Sequence, residues 1–362
     1  MSYSRRSFLK TAGAAAALSA LPFPGILYGQ QPKKLGVALV GLGNYSSGQL
    51  GPALRMTEHC GLRGIVTGSP GKIPVWQQKY DIPDKNVYSY ETMHRVADNP
   101  DIDVMYIVLP NSLHKQYTIL AAEAGKHVWC EKPMAMNAAE CREMIRACER
   151  NNVTLSIGYR MQHEPDTKTI IQYGKEKPYG AITGLEAEAG FRFNSGTPWR
   201  LKKEMGGGAM YDMGVYSLNA ARYVTGLEPL AVTARHETTR PEMFSEVDGT
   251  TYFTLEFPGG IKANCMTTFG SNVNRLRVDC AEGWYGLQPF QSYSGIRGTT
   301  SDGKVINQQL GDQQARQMDD DALAILQRRP VMVPGKEGLR DIVVVDAIFR
   351  SAETGHRIAI RS

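Results

Sequence analysis

The chain has 362 residues, 42% of them hydrophobic and 21% charged, which is enough apolar material for two globular domains and excludes a disordered polymer. The formal charge is +5, and the first thirty residues hold three bases, Arg5, Arg6 and Lys10, and no acid, so the remainder carries +2. That balance excludes a nucleic-acid-binding footprint. The six cysteines, Cys60, Cys130, Cys141, Cys148, Cys265 and Cys280, contain no C-x-x-C pair, and the seven histidines contain no i, i+4 pair. Cys141 and Cys148 fall on one predicted helix about 10 Å apart, too far for a bridge, so free buried thiols and no metal site are expected.

Residues 1–30 open with SRRSFLK and continue as an Ala-rich apolar stretch interrupted by Pro22 and Pro24, too short to span a bilayer comfortably. The paired arginines make this resemble a twin-arginine signal peptide, which carries proteins across already folded. The expectation is a mature chain beginning near Gln30 to Lys33, in the periplasm, with no stable membrane anchor.

The next stretch, LGVALVGLGNYSSGQL, combines a buried apolar strand, a turn at Gly41 and Gly43, and a helix beginning near Ser46. In a dinucleotide fingerprint the first glycine makes the tight turn and the second lets the pyrophosphate approach the backbone. Ser46 occupies the third glycine position, and Asn44 and Tyr45 lie between. Apolar strands recur at CGLRGIVTG, DVMYIVLP, KHVWCEKP and VTLSIGYR and alternate with helical stretches such as NAAECREMIRACERNN. This βαβ rhythm predicts an α/β Rossmann domain over 31–152, a doubly wound parallel sheet.

An NAD-preferring domain ends its second strand with an acid for the ribose 2′-hydroxyl. Here the place reads VTGSPGK, with Thr67, Ser69 and Lys72 and no carboxylate. The composition predicts NADP over NAD; a polar turn with a solvated lysine is the plainer alternative. From residue 153 to 362 the pattern changes to period-two segments, ITGLEAEAGFRF, LAVTARHETT, GTTYFTLEF, IKANCMTTFG and RLRVDCAEGWYGL. They predict an α+β domain with a large, mostly antiparallel open sheet, covered on one face by the helices GGGAMYDMGVYSLNAARYVTG and GLRDIVVVDAIFRSAETG.

Lys132 sits between Glu131 and Pro133 at the end of an apolar strand, an unusual place for a lysine. Asp212 and Tyr216 are four apart on a predicted helix and share a face. By itself each has a plain reading, Lys132 as a solvated charge and Tyr216 as a core aromatic. Together, GLGNYS, LPNSLH, AGKHVWCEKPMAM, IGYRMQHEP, PWRLKKEMGGGAMYDMGVYSLNAARYVTG and EGLRDIVVVDAIFRSAETG resemble the glucose-fructose oxidoreductase / inositol dehydrogenase (Gfo/Idh/MocA) family, and within it glucose-fructose oxidoreductases most. The resemblance runs in order along nearly the whole mature chain. It departs in a short mature N-terminus, where glucose-fructose oxidoreductase has an arm over the cofactor, and in the loops around 236–248 and 284–315.

The resemblance implies a sugar oxidoreductase with Lys132 beside the nicotinamide and the reacting carbon, Tyr216 as acid/base, and Asp212 on a neighbouring sugar hydroxyl. It places Leu109, Pro110, Asn111, His114 and Glu131 around the nicotinamide ribose, Tyr159 and Arg160 near the same cleft, and Trp199 with Arg200 towards cofactor and substrate. Gly206, Gly207 and Gly208 precede the Asp212 helix, where bare backbone has room to meet the sugar. The family commonly pairs its open sheets, which implies a homodimer or homotetramer.

Export limits the mechanism, because nicotinamide cofactors are not recycled outside the cytoplasm. A tightly bound cofactor must be regenerated in place. Hydride taken from an aldose must pass to a second sugar, or return to the same one in a redox-neutral glycosidase or epimerase that oxidises a ring hydroxyl transiently. A silent sugar-binding protein on the same fold is a third possibility; the intact Lys132, Asp212 and Tyr216 argue against it.

Overall fold

The computed structural model describes residues 34–194, 198–308 and 311–361; the export signal lies outside them. The first sheet has six strands, β1 (Leu35–Val40), β2 (Cys60–Val66), β3 (Val87–Tyr88), β4 (Val104–Ile107), β5 (His127–Cys130) and β6 (Leu155–Ile157). They are parallel, in the order β3-β2-β1-β4-β5-β6. Every residue of β1 is buried, as a strand covered on both faces requires. The order reverses between β1 and β4, and the crevice above the carboxyl ends there is the ligand-binding place of such sheets. The expected Rossmann architecture is therefore present.

Helices α1 (Gly51–Ala53), α2 (Ile73–Tyr80), α3 (His114–Glu123) and α4 (Ala138–Arg150) belong to this half of the chain. Then follow α5 (Pro165–Glu176) and α6 (Val215–Thr225), and near the C-terminus α7 (Gln313–Leu326) and α8 (Gly335–Thr354). The α7 helix was not anticipated. It returns to the parallel sheet: Ala315, Met318 and Ala322 share a core with Val37, Leu39, Tyr106 and Trp129. Its Asp319 carboxylate accepts from the backbone of Glu58 and His59 just before β2.

The second sheet has nine strands: β7 (Ile182–Gly190), β8 (Ala231–Glu237), β9 (Thr250–Glu256), β10 (Lys262–Thr268), β11 (Val273–Cys280), β12 (Gly283–Leu287), β13 (Gly298–Thr300), β14 (Val305–Ile306) and β15 (Ile358–Ala359). All neighbours are antiparallel except β10 and β7. Leu185, Ala187, Phe253, Leu255, Cys265, Leu276 and Val278 face inwards, with α6 against β7 and β10 and α8 against β8. The outer face is ionic. Arg275 pairs with Glu186 at 2.7 Å and Glu188 at 3.4 Å, and Arg277 with Asp279 at 2.9 Å.

All six cysteines are free, five of them buried. Among the described residues no helix is long and apolar enough to cross a membrane. Beneath the second sheet, Arg222 of α6 is buried against Asp341 of α8, Glu228 at 2.7 Å and Glu337 at 3.1 Å. Asn219 donates to Asp341 at 3.0 Å and accepts from Gln162 at 2.6 Å, so α6 is held in register by a closed polar network. Breaking one side of a buried pair strands the other charge. Asp341→Ala is expected to cost about 3–5 kcal/mol, read as a lowered denaturant midpoint; an unchanged midpoint shows that the pair does not hold α6.

Candidate active site

The glycine turn follows β1. Gly41 has φ of +98°, and a Cβ there lies 2.4 Å from the Val108 carbonyl oxygen, so only glycine fits between β1 and the end of β4. Gly43 has no other atom within 4 Å of its would-be Cβ, and the backbone turns helical from Asn44. Ser46 explains its own presence: its hydroxyl donates to the Gly41 carbonyl at 2.6 Å and is fully buried, locking turn to helix where the fingerprint has a third glycine. The first turn, Ser46–Leu50, is a π-helix. An open cradle beside a helix start fits a dinucleotide pyrophosphate; Gly41, Gly43, Asn44 and Tyr45 are the residues that would hold it.

Lys72 follows β2, and its ammonium donates to the Leu42 carbonyl at 2.7 Å, which brings it to the glycine turn. Thr67 spends one lone pair on the Ser69 backbone N–H at 3.1 Å, and Ser69 itself is exposed.

Lys132 ends β5 in a cis peptide with Pro133. Its ammonium donates to the Asp212 carbonyl at 2.6 Å, stands 3.7 Å from Asp212 Oδ1, and lies 4.5 Å from the centroid of the Tyr216 ring. It is not a solvated surface charge. Asp212 belongs to a second π turn, Met210–Gly214, that leads into α6; π turns recur at functional sites. This corrects the regular helix expected across 206–226, yet still leaves Asp212 and Tyr216 both facing Lys132. Asp248 fixes that turn, accepting from the Met210 N–H at 2.8 Å, and Gly208, at φ +105°, leaves room for its carboxylate. Gly208 is therefore required by the packing of Asp248.

Arg200 donates from Nε to Asp212 Oδ2 at 2.6 Å and stacks on Trp199 at 4.9 Å. Burial opposes ionisation of Asp212, but Arg200 and Lys132 outweigh it and hold the carboxyl below the usual range. Asn111 is buried and donates to the Gly206 carbonyl at 2.7 Å, tying the loop after β4, which carries Leu109 and Pro110, to the Asp212 segment. Glu131 is buried, accepts from Tyr106 at 2.7 Å, and burial raises its affinity for a proton.

Two predicted residues, His114 and Tyr159, turn into the protein's interior, while Arg160 stands behind Tyr216. His114 is fully buried with Nδ1 2.8 Å from the Pro133 carbonyl and Nε2 2.9 Å from that of Leu109, so both ring nitrogens face backbone acceptors; burial lowers the ring's affinity for a proton against the pull of the two carbonyls, and a neutral ring donates to one of them. Tyr159 is buried away from the cleft, its phenol held up by burial and by Asp341. Arg160 is buried and bonds the carbonyls of Gln291 and Ser292 and the Gln313 amide. Its guanidinium lies 5.3 Å from the Tyr216 ring and 4.6 Å from that of Tyr293. It anchors the β12–β13 loop and sets a positive charge beside Tyr216 at the wall of the cleft.

Tyr293 was missed. It lies in the loop expected to be divergent, on Arg160 and 6.0 Å from the Tyr45 ring, so it joins the glycine turn to the wall of the cleft. Tyr106 and Gln317 were missed too. A signal for the latter was present: Gln313, Gln314, Gln317 and Asp321 interleave with Ala315, Met318 and Ala322 at helical spacing, and all four polar residues are buried.

A glycine-turn crevice on a parallel sheet, with a lysine, a carboxylate and a tyrosine converging on it, defines a Rossmann-fold dehydrogenase. The oxidoreductase-family profile with an NAD-binding Rossmann fold (GFO_IDH_MocA) matches residues 35–159, the GFO/IDH/MocA C-terminal domain matches 168–286, and a twin-arginine translocation signal matches 2–22. The aldose-aldose oxidoreductase of Caulobacter crescentus, solved with glycerol, is 39% identical over 90% of this chain and 100% of its own, with a TM-score of 0.87. The chain therefore belongs to the Gfo/Idh/MocA family of NAD(P)-dependent oxidoreductases. A D-xylose 1-dehydrogenase [NADP(+)] of Haloarcula marismortui is 27% identical over 88% of this chain and 91% of its own. A levoglucosan dehydrogenase solved with NADH and levoglucosan shares the fold at 21% identity and a TM-score of 0.79, covering 91% of this chain and 100% of its own.

The two glycines of the turn are expected to separate under substitution. Gly41→Ala should destabilise the fold by about 1–3 kcal/mol, because its Cβ meets the end of β4. Gly43→Ala should leave the unfolding midpoint alone and weaken nucleotide binding measured by calorimetry. Equal effects on both midpoints would show that Gly43 is structural.

Proposed function

We propose that the mature chain is a periplasmic, NADP-dependent aldose oxidoreductase that retains its cofactor and delivers the hydride from one sugar to a second. The observation that carries the reading is the meeting of Lys132 with Asp212 and Tyr216 above the glycine turn, since those three groups suffice to orient a CH–OH group and remove its proton. The export signal and the 39% identity to an aldose-aldose oxidoreductase support it. The nicotinamide, when bound, supplies the hydride acceptor and donor.

The rest falls to this chain. Tyr216 takes the proton of the reacting hydroxyl, with the Lys132 ammonium on its ring face supplying positive charge where negative charge develops. Asp212, ionised between Arg200 and Lys132, accepts from an adjacent sugar hydroxyl and fixes the carbon that reacts. Tyr293 and Trp199 form apolar walls of the kind that pyranose C–H faces require. Lys72, with Thr67 and Ser69 and no acid after β2, favours a 2′-phosphate. The outer face of the second sheet is our candidate for self-association into a dimer or tetramer; its paired charges make such an interface polar.

Protein purified without added cofactor and given two aldoses should form a lactone and a polyol in equal amounts. Hydrolysis of a chromogenic glycoside without polyol would instead favour transient oxidation and return of the hydride to the same sugar.

For the cofactor, Lys72→Ala should weaken NADP by about 1–3 kcal/mol and NAD far less. Equal weakening removes the 2′-phosphate assignment.

For the chemistry, Tyr216→Phe should lower turnover by about 10²–10⁴-fold with cofactor binding unchanged, and Lys132→Met should do nearly the same. Because both act on one proton, the double variant should lose far less than the product of the two. Multiplicative losses would place them in separate steps.

A further inference from the structure

Arg160 is 2% exposed, and a guanidinium buried that far normally meets a carboxylate. This one does not. Among the described residues no carboxylate oxygen lies within 4.0 Å of it, and its acceptors are all neutral: the carbonyls of Gln291 and Ser292, the Met161 sulfur and the Gln313 amide oxygen. Its Nε has no partner among the described residues. The acid next to Gln313 in the chain, Asp312, is spent on the cap of α7, accepting from the Ala315 N–H at 2.8 Å. The cation is solvated without being neutralised.

Phenols surround it instead. The guanidinium carbon lies 4.6 Å from the centroid of the Tyr293 ring and 5.3 Å from that of Tyr216, and Tyr45 stands 6.0 Å from Tyr293. Burial pushes the Tyr45 and Tyr293 phenols up, so both keep their protons. Tyr216 differs in facing a second cation, Lys132, 4.5 Å from its ring centroid, and of the phenols around Arg160 it couples to the guanidinium most strongly.

The two cations are not equivalent. Lys132 stands 3.7 Å from Asp212 Oδ1 and shares that carboxylate with Arg200, whereas Arg160 has no acid at such range. Glu131 senses both cations, but burial draws its carboxyl towards the neutral form. The cavity behind Tyr216, bordered by Thr167, Ile170, Leu276 and Leu287, brings no charged side chain. Tyr223 also borders it, as a phenol that burial pushes up and that donates to Glu337 at 3.3 Å.

We propose that Arg160 is left without a counter-ion so that the Tyr216 phenolate becomes it, and that this buried guanidinium, rather than Lys132 alone, sets the pH at which Tyr216 acts as a base. The role deepens the oxidoreductase reading and rests on it for its purpose. When a CH–OH group is oxidised, its C–H and O–H bonds break and a C=O bond forms; the hydride takes two electrons to the nicotinamide, and the proton passes to the phenolate. The phenol returns that proton to the carbonyl oxygen of the second sugar as the hydride comes back. Arg160 is a positioning residue that acts through Tyr216 and does not touch the sugar. Gln313 fits the same account: a carboxylate in its place would satisfy the guanidinium and remove the charge that Tyr216 needs.

Mature protein labelled with ¹³Cζ-tyrosine tests this without substrate. The Tyr216 resonance is assigned by its loss in Tyr216→Phe, and its change with pH reads the ionisation of that phenol alone. Arg160→Met should move the midpoint up by about 1–3 pH units, as loss of a cation at this range does. Arg160→Lys keeps the charge and loses the forked bonds to the β12–β13 loop, so its midpoint should move by less than half as much. Gln313→Glu sets a carboxylate against Arg160 and leaves Arg160 in place; it should move the midpoint up as well, and it decides the matter where Arg160→Met does not fold. Unmoved midpoints overturn the proposal. So does a shift in Arg160→Lys as large as that in Arg160→Met, which would make the anchoring of the loop the cause. With NADP and an aldose, the rise of kcat/KM with pH should move with the same variants by the same amount. A kinetic limb that stays while the titration moves removes Tyr216 as the base, which is a failure of the oxidoreductase reading and not of the charge pairing. If no aldose turns over, the sugar reading fails, and the titration decides the role of Arg160 by itself.

Discussion

The ammonium of Lys132 is the point through which the two halves of the molecule act together. It rises from the end of β5 in the parallel sheet, and its bond to the Asp212 carbonyl, 2.6 Å long, crosses to the segment that leads into α6 under the second sheet. A lysine is expensive to bury, so its charge must be answered from the other side. Asp212 answers it, and is itself held ionised because Arg200 shares the load. Move either half and three charges lose their balance together. The supports around them follow from that requirement: Asn111 tied to Gly206, Asp248 on the Met210 turn, and the Arg222–Asp341 network that sets the height of α6.

Local pattern made much of this legible. The glycine turn, the βαβ alternation and the period-two strands each have a short-range cause, and each element formed where its cause lay. Lys132, Asp212 and Tyr216 also showed themselves, the first as a charge in an apolar run and the others by helical spacing. What did not show was direction. His114 and Tyr159 lie in the right segments, but whether a side chain turns towards the cleft or into the interior is settled by partners far away in the chain: Pro133 for His114 and Asp341 for Tyr159. The same long range hid Tyr293, which only the closing of the second sheet brings beside Tyr45. It hid α7 as well, whose buried glutamines look on paper like a solvated face.

The second sheet divides its labour by face. Inward apolar residues of β7 and β10 seat α6 and those of β8 seat α8, so the sheet sets the position of Tyr216 through α6. Outward residues are charged and answer one another within the sheet, as Arg275 does with Glu186 and Glu188. Exposed pairs of this kind contribute little stability each. Their consequence is solubility: a wide, open sheet with an apolar outer face would be an aggregation hazard.

The polar layer under α7 is a different case. An apolar α7 stripe against Tyr106, Trp129 and Ser156 would bury more hydrocarbon and leave fewer groups to satisfy, so by stability alone Gln314, Gln317 and Asp321 are poor choices. They are tolerated where the sheet answers them: Gln317 donates to the Tyr106 hydroxyl and Asp321 accepts from Ser156. In an enzyme that closes its redox cycle at one site, the proton taken from one sugar is the one the next sugar requires, so Tyr216 holds it between the two half-reactions.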